Sequence, residues 1–216
     1  MEQGVNFAST DGVIIGNDVK IGKDTIIYPS VVIKGKTEIG ENCTITTGSM
    51  IENSKIGNDT LISSSQIYDS VVGDGVRIGP YSHLRPNSNL ADKVKVGNFV
   101  EIKNSNVGEK TSVAHLTYIG DTDMGARVNV GCGCVMVNYD GFRKFRTVVE
   151  DDCFIGCNTN LVAPVTVKKG AYTAAGSTIT KEVPENGLGV ARAKQRNIDN
   201  WATNYNEKNA QYKKKK

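Results

Sequence analysis

The stretch Val13-Ile14-Ile15-Gly16-Asn17-Asp18-Val19-Lys20-Ile21-Gly22-Lys23-Asp24-Thr25-Ile26-Ile27 carries one six-residue unit over and over. An aliphatic anchor stands at Ile15, Ile21 and Ile27, and a smaller side chain precedes each by two positions, at Val13, Val19 and Thr25. Downstream the anchors continue at Ile33, Ile39, Ile45 and Ile51 without a miss. The frame then slips by one residue and runs on through Ile56, Ile62, Ile67, Val72, Ile78, Leu84, Leu90, Val96, Ile102, Val107, Val113, Ile119, Met124, Val130 and Met136. After a break it resumes at Val149, Ile155, Leu161 and Val167, skips to Thr173, and finishes at Ile179.

Anchor and companion alternate with period two, which is the spacing of a strand. A fixed six-residue period longer than that alternation marks a stacked repeat. Each unit supplies one short strand and one turn, and three units close a triangular coil that holds the aliphatic anchors inside. Successive coils then stack about 4.8 Å apart. Glycine directly after an anchor, as at Gly16, Gly22, Gly40, Gly57, Gly79 and Gly156, relieves crowding where the backbone turns. An up-and-down barrel needs hairpin turns and longer strands, which this period does not supply. The expected fold is all-β, a parallel β-helix.

Composition agrees with that reading. The 216 residues hold 24 Val and 18 Ile against 6 Leu, with 23 Gly, which favours extended structure over a helix bundle. A net charge of +3 with 23% charged residues points neither to disorder nor to a strongly basic nucleic-acid binder. No uncharged run approaches the roughly 18 residues of a transmembrane segment, and the start lacks a signal-peptide pattern, so a cytoplasmic protein is expected. Five cysteines form an odd set, and reduced thiols are expected. The only histidines are His83 and His115, short of a three-histidine metal set, so no metal is expected in the chemistry.

Two interruptions stand out. Residues 138–147 break the period with a polar run, Asn138-Tyr139-Asp140-Gly141-Phe142-Arg143-Lys144-Phe145-Arg146, expected to leave the solenoid as an extruded loop. Beyond residue 184 the period is lost. The reading therefore divides the chain into a β-helical domain, 1–184, and a segment, 185–216, that forms either a tail or a short helix and ends in four lysines. That segment either covers the last coil or packs across a neighbouring subunit. The terminal lysines are read as a solvated end.

Several segments carry a resemblance. Arg85-Pro86, then Val96-Gly97-Asn98-Phe99-Val100-Glu101-Ile102-Lys103, then His115-Leu116-Thr117-Tyr118-Ile119-Gly120-Asp121, followed by Val128-Asn129-Val130-Gly131, Asn138-Tyr139-Asp140-Gly141, Lys144, Leu161-Val162-Ala163-Pro164-Val165 and Ala174-Ala175-Gly176-Ser177, resemble the acetyltransferase half of the bacterial GlmU family. The likeness spans roughly residues 5–200. It implies a left-handed β-helix, a homotrimer, acetyl-CoA as cosubstrate and glucosamine 1-phosphate as acceptor. The product, N-acetylglucosamine 1-phosphate, would feed UDP-N-acetylglucosamine synthesis and envelope construction. The nucleotide-binding opening of that family's other domain has no counterpart here.

The resemblance also assigns residues. His115 matches the general base, with Glu101 as its partner, and Asn138 the residue that places the substrate or the reacting acetyl group. Arg85 and Lys103 match phosphate-binding positions, where a guanidinium fork and a compact ammonium neutralise the phosphate. Tyr118, Asn129 and Lys144 match further sugar-phosphate contacts. Cys132, Tyr139, Cys157, Ala175 and Arg192 align with the cofactor region, with Arg192 facing a phosphate and the amides around Cys157 or Ala175 available to the oxyanion.

Departures from the family pattern are Cys132 and Cys134 in a Gly-Ala-Gly-Thr segment, Cys157 for Ser, Asn87-Ser88 for Gly-Ala, and Arg143 where Asn is common. By phase, Cys43, Cys134 and Cys153 fall in the inward slot and Cys132 and Cys157 point outward. The exact amino-sugar acceptor is less closely specified than acetyl transfer. Acyl transfer to another amino sugar or nucleotide sugar, and a catalytically silent scaffold, are the alternative readings.

Overall fold

The computed structural model describes residues 4–212. The terminal lysine run, read above as a solvated end, lies outside the described residues. Three parallel sheets of eleven, ten and nine strands form the walls of a triangular prism. We call them face 1 (Asn6–Phe7 to Leu188–Gly189), face 2 (Ile14–Ile15 to Thr178–Ile179) and face 3 (Lys20–Ile21 to Val165–Val167). The chain visits the faces in turn, giving a left-handed parallel β-helix.

Register follows the anchors. On face 2, Ile15 pairs with Ile33, Ile33 with Ile51, Ile51 with Ile67 and Ile67 with Leu84. Equivalent columns run through Ile27, Ile45, Ile62 and Ile78 on face 1 and through Ile39, Ile56, Val72 and Leu90 on face 3. From Ile27 onward these anchors are buried, whereas Ile15, at the open end, is 37% exposed. A terminal coil has a neighbour on one side only, and its core residues show it.

The one-residue slips in the sequence are absorbed at corners. Ile33 and Ile51 lie a full 18 positions apart, and Ile51 and Ile67 only 16, yet both pairs stay in register. Corner residues take left-handed φ, and Asn42, Asn53, Asp59 and Asn104 are among them. Their short polar side chains tolerate that region best among residues with a Cβ. Gly22 and Gly156, which follow anchors, have a different cause from turn geometry. A Cβ on Gly22 would stand 2.6 Å from the Gly40 carbonyl carbon, and on Gly156 2.4 Å from the Thr173 oxygen. The neighbouring coil leaves them no room.

Residues 138–146 leave the prism between the Val135–Val137 and Thr147–Val149 strands. Despite the excursion, Met136 still pairs with Leu161 and Val137 with Val162. The loop is a small hairpin: Tyr139 and Lys144 form an antiparallel bridge, and Phe145 N donates to Asn138 O at 2.8 Å across the neck. Asp140 Oδ1 accepts from the backbone of Phe142 and Arg143, so an Asx turn shapes the tip.

The solenoid reaches past residue 184 by one strand, Leu188–Gly189, which pairs with Tyr172–Thr173. Helix α1, Trp201–Asn209, follows with no buried residue. Trp201 and Tyr205 stack on its exposed surface, ring centres 4.9 Å apart.

Candidate active site

Parallel stacking brings outward residues of successive coils together on face 2. Arg85 follows the anchor Leu84, Glu101 and Lys103 flank Ile102, and Tyr118 precedes Ile119, in coils paired Leu84 to Ile102 to Ile119. The Arg85 guanidinium donates to Glu101 Oε1 at 2.8 Å. No hydrogen bond from His115 to Glu101 is present among the described residues, so the carboxylate expected to assist the base instead holds the arginine. Lys103 lies one coil from Asp121, Nζ to Oδ2 3.9 Å. The loop brings Lys144 beside it, and that second ammonium, with burial and Arg85, holds the Lys103 pKa below its ordinary value against the pull of Asp121.

Asp121 was not assigned a role from sequence, and it is the hub of this wall. It is 4% exposed. Its carboxylate accepts from Asn104 Nδ2 and from Asn138 Nδ2, and Asn138 Nδ2 also lies 3.4 Å from the Tyr118 hydroxyl. Burial pushes the Asp121 carboxyl up, but the two amide donors with Lys103 and Lys144 outweigh it and keep it below the usual carboxylate range. Gly120 was also passed over. A Cβ there would stand 2.4 Å from the Tyr118 hydroxyl and 2.7 Å from Asn138 Nδ2, so glycine leaves the groove in which Tyr118 lies.

Two aspartates grip the loop at its two ends. Asn138 is held by Asp121, while Arg146 donates through Nε and Nη2 to both oxygens of Asp123 at 2.8 and 2.6 Å. That fork, stronger than the effect of burial, holds the Asp123 carboxyl below its usual range. Asp123 also accepts from Asn106, which accepts from Asn89, so an amide ladder on face 3 backs the clamp.

The second group of predicted residues lies along the edge between faces 1 and 2. His115 ends the strand Ser112–His115, and its carbonyl accepts from Gly133 N at 3.4 Å. One coil on, Cys132 O accepts from Asn158 N at 2.8 Å, and Cys157 O accepts from Gly176 N at 2.8 Å. His115, Cys132, Cys157 and Ala175 thus mark successive coils of one edge. The backbone N–H groups of Cys157 and Ala175 donate to no described residue. Cys157 is exposed, Cys132 half-buried, and Cys43, Cys134 and Cys153 buried, as their phases predict. Burial lifts the Cys134 thiol to about 11.

Remaining candidates stand apart from the Lys103 cluster. Asn129 is exposed on face 1, in register with Ser112 and Phe154. The Tyr139 hydroxyl donates to Gly141 O within the loop at 2.6 Å. Arg192 is exposed just after Ala191, whose N–H donates to Ser177 Oγ at the end of the prism. Beside the His115 edge, Tyr81, Phe99 and Leu116 occupy left-handed corners with 63%, 58% and 59% exposure. Tyr81 and Phe99 stack, and this large apolar strip in a strained backbone is a feature that sequence reading did not single out.

A left-handed β-helix built from stacked six-residue units is the fold that hexapeptide-repeat proteins share, and the chain is similar to members of that group. The bacterial transferase hexapeptide model matches residues 69–104, and a model described as the GMPPB C-terminal domain matches residues 9–85. More narrowly, the chain is 52% identical over 206 residues to the bifunctional protein GlmU of Listeria monocytogenes serovar 1/2a, covering 95% of this chain and 45% of that protein. It is 56% identical over 201 residues to the bifunctional protein GlmU of Alkaliphilus oremlandii, covering 93% and 44%. The chain therefore spans less than half the length of these relatives.

Two solved structures share the fold. An Arabidopsis UDP-N-acetylglucosamine acyltransferase superposes with a TM-score of 0.59 at 17% identity, covering 94% of this chain and 73% of that one. A Francisella novicida UDP-N-acetylglucosamine acyltransferase gives 0.52 at 19%, covering 86% and 66%. Among the described residues no helix is long and apolar enough to cross a membrane, and no three metal-ligating side chains cluster.

Proposed function

We propose that this chain transfers the acetyl group of acetyl-CoA to the amine of glucosamine 1-phosphate, giving N-acetylglucosamine 1-phosphate in the cytoplasm. The observation that carries this reading is the convergence of three cations, Arg85, Lys103 and Lys144, on one face against only two carboxylates, Glu101 and Asp121. A net positive wall built partly from a guanidinium binds a phosphate. Tyr118 and Asn138 add a hydroxyl and an amide beside it for the sugar.

His115, at the adjacent edge, takes a proton from the sugar amine as that nitrogen attacks the thioester carbonyl. The N–C bond forms, the C–S bond breaks, and CoA leaves as the thiolate. The donor lies along the edge past Cys132, Cys157 and Ala175 toward Arg192, and the N–H groups of Cys157 or Ala175 supply the oxyanion with donors. Overall identity above 50% to bifunctional GlmU proteins supports this assignment over transfer to another amino sugar.

The working unit is a homotrimer. The exposed strip of Tyr81, Phe99 and Leu116 and the unpacked helix α1, too short to be stable alone, support it. Self-association would bring Asn129 and Arg192 of one copy to the wall of another. The test is product analysis with the purified protein: acetyl-CoA and glucosamine 1-phosphate should yield the N-acetylated sugar phosphate, with glucosamine, glucosamine 6-phosphate and UDP-glucosamine turned over poorly. Equal use of UDP-glucosamine would refute the acceptor assignment.

A further inference from the structure

We propose that Asp121 is the positioning residue of this site: it fixes the Asn138 amide so that the carbonyl oxygen faces the acceptor amine, and it holds the Lys103 and Lys144 ammoniums together. The inference deepens the function proposed above and rests on it.

The chemistry of the contact decides the amide's orientation. An ionised carboxylate has only acceptors, so Asn138 must offer Asp121 its NH2. The Asn138 Oδ1 atom accepts from no described residue. Among the described residues the fully buried side-chain atoms without a partner are Ser49 Oγ and Thr147 Oγ1, so Asn138 Oδ1 is not fully enclosed. It is left free for an attacking amine, which is rich in N–H donors and needs an acceptor. Without Asp121 the amide has no reason to prefer that face.

The same carboxylate serves the cations. Facing it are Lys103 from the preceding coil, Asn104 at the corner, Lys144 and Arg146 from the loop, and Tyr118 through Asn138. Arg85 bears on Lys103 from a coil further back, with Glu101 bound to it. Two adjacent ammoniums repel, and the buried negative charge between coils offsets that repulsion. Anion binding favours protonated Lys103, so it is complete below the free-site pKa of Lys103 and lost above it. Removing Asp121 lowers that pKa, and the alkaline loss moves to lower pH.

The experiment is a double-mutant cycle on the intact protein, with Asp121→Asn, Asn138→Ala and their combination assayed for acetyl transfer. Each single change should lower kcat about tenfold or more, and the combination should fall no more than about threefold below the slower single. In Asp121→Asn the alkaline fall in sugar-phosphate affinity should also move down by about one pH unit. Multiplying effects, or an unmoved pH limb in a variant that melts like wild type, overturns the proposal.

Should Asp121→Asn not fold, Asn138→Asp decides. It keeps an oxygen acceptor but sets a carboxylate against Asp121, and its kcat should be as low as that of Asn138→Ala. Wild-type turnover in that variant would overturn the proposal. Inorganic phosphate binding against pH, in wild type and Asp121→Asn, separates the two levels of inference. Absent acetyl transfer in the wild-type protein defeats the functional reading, whereas an unshifted phosphate limb defeats the role of Asp121.

Discussion

Arg85 and Glu101, sixteen residues apart in sequence, are joined at 2.8 Å across adjacent coils of face 2. Glu101 therefore aims the guanidinium. Glu101→Gln should raise the KM for the sugar phosphate about three- to tenfold and leave kcat within about threefold. Steady-state kinetics against acceptor concentration check it. A selective loss of kcat would instead make Glu101 the partner of His115.

In the proposed reaction His115→Ala removes the proton acceptor and leaves the cationic wall intact. Turnover should fall by a factor of about 100 or more at neutral pH, with sugar-phosphate affinity nearly unchanged. Comparison with His83→Asn is informative, because His83 packs edge-on against Tyr68 and burial, its largest influence, lowers its pKa. His83→Asn should therefore leave turnover at neutral pH within about threefold of wild type.

Lys103 has its pKa lowered chiefly by Lys144. A lowered lysine pKa means that the cation, and the phosphate affinity it carries, is present below that pKa and lost as pH rises through it. Lys144→Gln should weaken binding near pH 7 by removing one charge and move the alkaline loss to higher pH, because Lys103 is then relieved. Calorimetric titration of the sugar phosphate across alkaline pH reads both effects.

Gly120→Ala tests the groove under Tyr118. The added methyl meets the tip of a side chain rather than backbone, so the fold accommodates it while Tyr118 and Asn138 shift. Activity should drop about tenfold or more with the melting temperature changed by only a few degrees. A fully active variant would show that neither side chain needs its present place.

Thiol alkylation should inhibit through exposed Cys157 or half-buried Cys132, and acetyl-CoA should protect. Cys134, whose thiol is lifted to about 11 by burial, should remain unmodified in the folded protein, as mass spectrometry of digested peptides will show. Full activity after confirmed modification of both Cys132 and Cys157 would place the donor elsewhere.

The prism was legible because its signal is local and periodic. Ile15 to Ile51 at steps of six state both the strand alternation and the corner spacing, and each anchor packs on its equivalent in the next coil. The inward and outward cysteines followed from the same phase. Asp121 was hidden because its role depends on Asn138 and Lys144, which arrive through a loop whose path no period describes. The Arg85–Glu101 pair was hidden for a related reason: the coil repeat, and not nearness in sequence, brings the two side chains together. Tyr81, Phe99 and Leu116 escaped notice because a corner column is visible only after the slips in register are resolved.

The edge that carries His115, Cys132, Cys157 and Ala175 is graduated like a ruler, one mark per coil at about 4.8 Å. Its length is a whole number of coils. Side-chain substitution adjusts what stands at a mark, but the distance between marks changes only when a complete coil is gained or lost. A rearrangement that adds one coil between His115 and Arg192 would keep the pattern of coil-to-coil contacts and still misalign the two ends of the proposed extended acyl donor. Under the proposed function, the reach of the chain for its donor is thus inherited in integer steps.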